Sequence, residues 1–547
     1  MRMSHLFGRR FKERPASAVL ESHALLLRGG YLRAAGPGRY ALLPAGMRVH
    51  RKLETGIRRA FEAAGGQELG LPGNRASETS PPPARDMRFL ALCRNEIATY
   101  SQLPGVFFTF APAAIEEPRS GGGPMYAAEP VEARLWWLEH GGPEANDGLS
   151  KLRDVVTRIF VTLGLPEPQF AEAPGEGAET ALAVMVPAPS GDTQVALSDS
   201  GAYCALAECA ACRLQGWTET PRDLEKVHTP GLKTIEDVAE YVGVTPRQGG
   251  KAVFYDRDAE GRLVLAMVRG DREVSEAKLA QLIGVAPAPA SEARIQAAGT
   301  HPGFASPIGL DPGQVRLLID HSIANTPNLT VGANEADYHY NNFNLARDLL
   351  PAVETVDIVQ AREGDPAPGG APLRFETAFE AGRIWQASTG PTEAAAVHYD
   401  DERGNACAPG LTTLSLNLSS LTASLVEVSH DAFGPVWPPA LAPWDVHLCA
   451  LAKGDGPVFD AAETLYAQLT EGHIGVLYDD RGARPGVQFA EADLLGIPLR
   501  LILGGRSLER GEVEWKRRAT GEKGALPLGG VVEAVRRMLA EAGGTGE

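Results

Sequence analysis

The chain has 547 residues, 44% hydrophobic and 22% charged, with a formal net charge of −17. That length accommodates about three or four ordinary domains, and the composition is that of a water-soluble globular protein. The net negative charge excludes a general nucleic-acid coat. It leaves room for a nucleic acid held on a local basic surface, because phosphate contacts act within about 10 Å at physiological salt. No apolar run approaches the roughly 20 residues that cross a bilayer, and no apolar segment follows the charged start MRMSHLFGRRFKERP, so neither a membrane span nor a signal peptide is expected. Six unevenly spaced cysteines point to a reducing, cytoplasmic setting without a disulfide framework.

Residues 15–65 read as helical: SAVLESHALLLRGGYLRAA has apolar residues at helical spacing, and MRVHRKLETGIRRAFEAAGG is an amphipathic helix stopped by Gly65 and Gly66. QELGLP is a short strand, NRASETSPPPARDM a turn-rich loop, RNEIATYSQLP a helix, GVFFTFAPA a strand and SGGGPM a loop. A helix follows over 147–163, then the strand QVALSD and a cysteine-bearing stretch with helical character. Near 219 the texture changes to a linker and a helix, TETPRDLEKVHTPGLKTIEDVAEYVGV, and from there to about 345 strands alternate with helices. GDPAPGGAPLR is a Pro/Gly-rich exit linker. Strand-like stretches resume at 375–388 and 411–428. From 435 a compact α/β unit begins, whose strand–helix spacing implies parallel pairing. The expected divisions are 1–218, an insertion at 219–365, a return to the first unit at 366–434, and a final unit at 435–547.

Several runs carry a family likeness. SHALLLRGGYLRAAGPGRYALLPAGMRVHRKLETGIRRAF opens it; VRGDREVSEAKL and LLIDHSIANTPNLTVGANEADYHYNNFN continue it; VWPPALAPWDVHL, LYDDRGARPGVQFAEADLLGIPLRLILG and VEWKRRATGE close it. Together they resemble bacterial prolyl-tRNA synthetases over the whole chain. The resemblance implies an α/β and α+β multidomain protein: a class II core with an antiparallel sheet, an inserted α/β editing domain and a C-terminal α/β anticodon-binding domain. It also implies a homodimer, joined in part through the helix at 46–64, with tRNA, specifically tRNA(Pro), as partner.

Adenylate formation calls for positive charge on the ATP phosphates, which arginine supplies through its fixed fork of donors. The resemblance places one such arginine in motif 2 and another in motif 3. Motif 2 reads FFTFAPAAIEEPRSGGGPM, with Ile115 at the arginine's place; Glu116 and Glu117 remain, and Arg119 matches a later arginine. Motif 3 reads LTTLSLNLSSLTASLVEVSHDAFGPVWP, where counting back from Trp437 puts Ser420 at the arginine and Ser415 and Asn417 at two glycines. The family's proline-holding Thr-x-Glu loop has no counterpart between Pro72 and Arg94, and its His-Glu pair reads Thr180-Ala181. Each charge-assisted contact contributes about 1.5–3 kcal/mol. These replacements therefore predict weak ATP and proline binding and a larger loss at the transition state. ATP and Mg are expected only if ligase activity survives.

The inserted domain keeps what the core lacks. An alanine differs from proline by so little that binding alone rejects it poorly, which is why the family uses a second, hydrolytic site. The resemblance assigns that site to Lys251 in KAVFYDRD, Gly303 and Pro307 in GFASP, Asp320 ending VRLLID, and His339 in DYHYNN. It implies that Lys251 meets the terminal phosphate or ribose, that the Gly303 loop presents backbone donors, and that Asp320 and His339 fix the small amino acid, with no cofactor required. Each residue also has a plain alternative: a solvated lysine, a strand-terminal cap, a packed histidine. One departure is that Gly249-Gly250 stand where the family has a polar residue.

Cys204, Cys209 and Cys212, with His228 downstream, suit a zinc site in residue type. The set lacks a second close pair, however, and cysteine also serves as a small apolar residue, so no metal is assigned. In the last unit Arg481 and Arg484 lie in a loop at a strand end, and Trp515, Lys516 and Arg517 offer stacking and phosphate contacts to tRNA. Three functions follow from these readings: a synthetase-like hydrolase of mischarged aminoacyl-tRNA, specifically alanyl-tRNA(Pro); a non-catalytic tRNA-binding or regulatory paralogue; and an active proline–tRNA ligase with an atypical ATP site.

Overall fold

The computed structural model describes residues 1–71, 82–113, 122–141, 147–175, 180–199, 201–349, 353, 355–452 and 456–543. Its centre is a nine-stranded sheet. In spatial order the strands are Gln67–Glu68, Gly105–Pro112, Val131–Glu139, Gly410–Asn417, Leu373–Gln386, Thr180–Pro187, Gln169–Ala173, Cys204–Leu206 and Thr193–Ser198. The long strands pair antiparallel. The helix Pro44–Ala63 buries Val49, Leu53, Ile57 and Phe61, spaced four apart on one face, in the same core as the helices Gly148–Leu163 and Leu418–Val428.

The insertion leaves and rejoins this sheet at one corner. Leu373 pairs with Ser198, and Leu197 with Cys204, so the strand of departure, ending at Leu206, and the strand of return both flank Thr193–Ser198. Between them lie a four-stranded sheet, Gly250–Tyr255, Leu263–Arg269, Val315–Asp320 and Thr355–Val356, and a three-stranded sheet, Glu225–His228, Tyr338–Phe343 and Leu329–Gly332. The strand LVLAMVR is buried along its whole length. Val264, Ala266 and Val268 pack on the core's corner through Ala196, Ala205 and Cys212. Leu265 and Met267, on the opposite face, pack toward Val331 and Phe343 of the smaller sheet. Burial on both faces explains the unbroken apolar run.

The last unit has five strands in the order Val476–Asp479, Val446–Leu451, Leu499–Gly504, Glu512–Arg517 and Lys523–Pro527, and the first three run parallel as the helix spacing predicts. The start of the chain reaches this unit: Arg2 pairs with Glu463, and the Tyr478 amide donates to the Met1 carbonyl at 2.9 Å. Among the described residues no helix is long and apolar enough to cross a membrane.

Several local expectations are corrected. The stretch 15–65 is not all helix, because a hairpin of Leu32–Gly36 and Arg39–Leu42 separates the helices Glu21–Arg28 and Pro44–Ala63. The helix that begins at Pro82 ends at Glu96, so RNEIATYSQLP is not one helix: its first three residues end that helix and a short turn follows at Tyr100–Gln102. Residues 411–428 are a strand only to Asn417, whose side chain then caps the helix Leu418–Val428 by accepting from the Ser420 amide at 2.9 Å. The cysteine stretch is the strand Cys204–Leu206 followed by a turn, not a helix. The segment read as a linker before 235 contains the strand Glu225–His228.

Candidate functional site

A cavity of about 430 Å³ opens in the inserted unit, bordered by Lys233, Lys251, Gly303, Thr330 and His339. Lys251 sits near the start of an edge strand, opposite Val268. Its ammonium is ion-paired with Glu273 at 2.5 Å, and both side chains are partly exposed. His339 lies in the central strand of the smaller sheet, between Val227 and Gly332. Its ring is buried, and burial pushes its pKa down, so it is neutral at physiological pH. Nδ1 shares a 2.6 Å hydrogen bond with the hydroxyl of the fully buried Thr229. That bond fixes the ring and leaves Nε2 without a described protein partner.

Gly303 has φ +84°, a conformation that favours glycine. Its loop is clamped by Asn334. The Asn334 amide N–H donates to the Phe304 carbonyl at 2.8 Å, its side-chain oxygen accepts from the Ser306 amide at 2.8 Å, and its Nδ2 donates to the Ile308 carbonyl at 2.7 Å. The loop's backbone groups are thus held in place beside Lys251 and His339, as a site that stabilises a developing oxyanion requires.

Lys251, Gly303 and His339 therefore share one cavity, whereas Pro307 and Asp320 do not line it. Pro307 borders a separate cavity of about 410 Å³ with Leu310 and Arg316. Asp320 is 2% exposed, and backbone donors occupy both its oxygens: Ser322 N at 2.7 Å and Ile358 N at 2.9 Å. It caps the short helix His321–Ala324 and ties in the strand end near residue 358. Asp320 thus has a role in the fold, with one backbone donor on each oxygen, and it does not line this cavity. Sequence reading missed Thr229, Lys233, Glu273 and Asn334. The first two lie in the TPGLKT turn, whose Pro-Gly marks a turn without saying what it faces.

The core has its own pocket, about 360 Å³, lined among others by Glu132, Glu380, Arg383, Ser415, Asn417 and Ser420. Ser420 is buried and donates to the Met125 carbonyl at 2.7 Å. Ser415 donates to Glu132, and Asn417 is the helix cap. Arg383, the one guanidinium among the described lining residues, pairs with Glu380 through bonds of 2.9 and 2.8 Å. Ile115, Glu116, Glu117 and Arg119 lie outside the described residues.

Comparison with known proteins decides the family. The chain is 32% identical to the proline–tRNA ligase of Bacillus pumilus over 98% of its own length and 100% of that protein. It is 33% identical to that of Moorella thermoacetica, over 99% of each, and 32% to that of Thermoanaerobacter sp. over 99% and 100%. This chain belongs to the proline–tRNA ligase family. Residues 229–349 match an aminoacyl-tRNA editing domain, so the cavity around Lys251 lies in that domain. Residues 445–538 match an anticodon binding domain.

In the proline–tRNA ligase family member described here, much of the anticodon domain's predicted basic surface is engaged internally. Arg481 grips the fully buried Asp479 through bonds of 2.9 and 2.8 Å and also pairs with Glu491. Arg517 donates to the Met538 carbonyl at 3.0 Å and to Glu541 at 2.8 Å. Trp515 packs with Leu526 and Leu528 against the domain core. Trp515 is partly buried by this packing. Arg484 is exposed and Lys516 partly exposed. The three cysteines sit in apolar surroundings that push Cys204 and Cys209 up to about 11 and Cys212 to about 12. Among the described residues no group of three His, Cys, Asp or Glu is placed to hold a metal ion.

Proposed function

We propose that this chain hydrolyses mischarged aminoacyl-tRNA in its editing domain, with alanyl-tRNA(Pro) as substrate, and that it does not activate proline. The observation that carries this reading is a contrast between two pockets. The editing cavity holds Lys251, the Gly303 loop and a neutral, oriented His339 together. The core pocket presents Ser420 where the resemblance calls for arginine, with Ser415 and Asn417 at the places of two glycines, and its described cation is matched by a carboxylate.

In the proposed reaction, Lys251 exchanges Glu273 for a phosphate or the ribose of the acceptor end. The ester carbonyl faces the Gly303 loop, whose backbone donors take the charge that develops on its oxygen. Water attacks that carbonyl carbon, the ester C–O bond breaks, and the ribose oxygen leaves with a proton. The products are free amino acid and tRNA; water is the only co-reactant, and no cofactor enters. The cavity accepts small side chains and meets them with His339 and the apolar wall of Ile295 and Val238. Arg484 and Lys516 contribute phosphate contacts from the anticodon domain, and the protein works as a homodimer.

The test is hydrolysis of alanyl-tRNA(Pro) by the wild type and Lys251→Ala, with prolyl-tRNA(Pro) as control. Alanine-selective hydrolysis that collapses in the variant supports the reading. No hydrolysis above background removes it and favours a tRNA-binding or regulatory role.

A further inference from the structure

Two lysines border the editing cavity, and their surroundings differ. Lys251 is held by Glu273. Lys233 lies in the turn between the strand Glu225–His228 and the helix Ile235–Val242, is exposed, and forms no ion pair with any described residue. It is nevertheless well placed. Its stem lies across Gly303: a methyl group there would come within 3.0 Å of both Cγ and Cδ. Its ammonium is 5.9 Å from the centroid of the Phe304 ring, at the outer limit of cation–π attraction.

The turn that carries it is pinned at both ends. Thr229 N and Gly231 N donate to the backbone and side-chain oxygens of Asp337, both at 2.8 Å, and Thr229 orients His339. Thr234 caps the following helix by accepting from Asp237 N at 3.1 Å. Lys233 is thus a cation without a counter-ion among the described residues, carried on a turn pinned beside the histidine and the glycine loop, at the rim of the cavity. A single-stranded phosphodiester supplies the missing charge, and its binding releases counter-ions.

We propose that Lys233 is a second phosphate-binding residue, which positions the acceptor strand by holding the phosphodiester on the 5′ side of the terminal nucleoside. This rests on the editing reading above. Lys251 acts within the cavity; Lys233 acts at its rim and sets how the strand enters. It touches the substrate's backbone and not the ester, so it governs binding more than chemistry.

The experiment measures hydrolysis of alanyl-tRNA(Pro) by wild type, Lys233→Ala and Lys233→Arg over a range of salt. Lys233→Ala is expected to raise the half-saturating concentration about fivefold, leave the maximal rate within about twofold, and reduce the slope of log affinity against log salt by about 0.7. Lys233→Arg restores most of the loss. With 3′-O-alanyl-adenosine, which has no phosphodiester, wild type and Lys233→Ala behave alike. Unchanged affinity and slope on the full substrate, or an equal loss on the phosphate-free ester, overturns the proposal. If the wild type hydrolyses no aminoacyl-tRNA, the editing reading fails by itself. Lys233 is then decided by binding of a short uncharged RNA with the acceptor sequence: a fivefold weakening sustains its role, and identical binding removes it.

Discussion

Asp320→Asn separates a residue of the fold from a residue of the site. The substitution keeps the side chain's shape and replaces one acceptor oxygen with an amide nitrogen. Both oxygens of Asp320 accept backbone N–H groups, from Ser322 and Ile358. In either orientation of the asparagine, one buried N–H then faces another donor. An unsatisfied buried donor costs about 1–3 kcal/mol, and the surviving bond loses its charge assistance, so a local loss of about 2–4 kcal/mol is expected. The chain is multidomain and does not unfold in one transition, so peptide-resolved hydrogen exchange is the suitable assay. Amides of 315–324 and 355–361 should exchange about thirtyfold faster or more, since about 1.4 kcal/mol is tenfold. Below the temperature at which the variant begins to unfold, hydrolysis should fall only a few-fold, because Asp320 does not line the cavity. Unchanged exchange together with lost hydrolysis would refute this and return Asp320 to the substrate.

Further outcomes follow from the same geometry. Glu273→Gln removes the counter-ion of Lys251; the pair is partly exposed, so tRNA affinity should rise only about two- to fivefold, more at low salt than at high, in a binding titration. Gly332→Ala places a methyl 2.1 Å from the Phe304 carbonyl carbon. The Gly303 loop must shift, and the hydrolytic rate should fall at least about tenfold with the fold retained, as circular dichroism and exchange would report. His447, fully buried with no hydrogen-bond partner on either ring nitrogen among the described residues, is pushed down to about 3 by desolvation. The unfolded chain titrates near 6.5, so between those values it binds the extra proton. The anticodon domain should therefore lose about 1.4 kcal/mol per pH unit as pH falls through that window, and should be at full strength above it. His447→Leu should flatten this dependence in denaturation series between pH 6.5 and 4.5; an unchanged slope would contradict the assignment.

The fold was legible wherever one periodicity dominated. The four-residue spacing of Val49, Leu53, Ile57 and Phe61 marks a helix face, and LVLAMVR marks a strand covered on both sides. Asp320 was not legible as structural, since an aspartate at a strand end has the same chemistry whether it caps a helix or meets a ligand. Gly303 and Pro307 stand four apart, but the loop's path sends the proline to another cavity, which spacing cannot reveal. Thr229 and Asn334 act through backbone positions set by distant strands, so only the assembled sheets show them. The partial burial of Trp515 was legible from its strand face, which it shares with the fully buried Val513. The shift from 411–428 as strand to strand plus helix turns on Asn417, a cap hidden inside an otherwise apolar run.

The division of labour between the two pockets is tested most directly by proline-dependent ATP–pyrophosphate exchange, run on a preparation already seen to hydrolyse alanyl-tRNA(Pro). The proposed function predicts no exchange above the proline-free background, since it takes Ser420 to stand at the place of the motif 3 arginine. Robust exchange with proline would contradict the claim and make the chain a working ligase with an atypical ATP site.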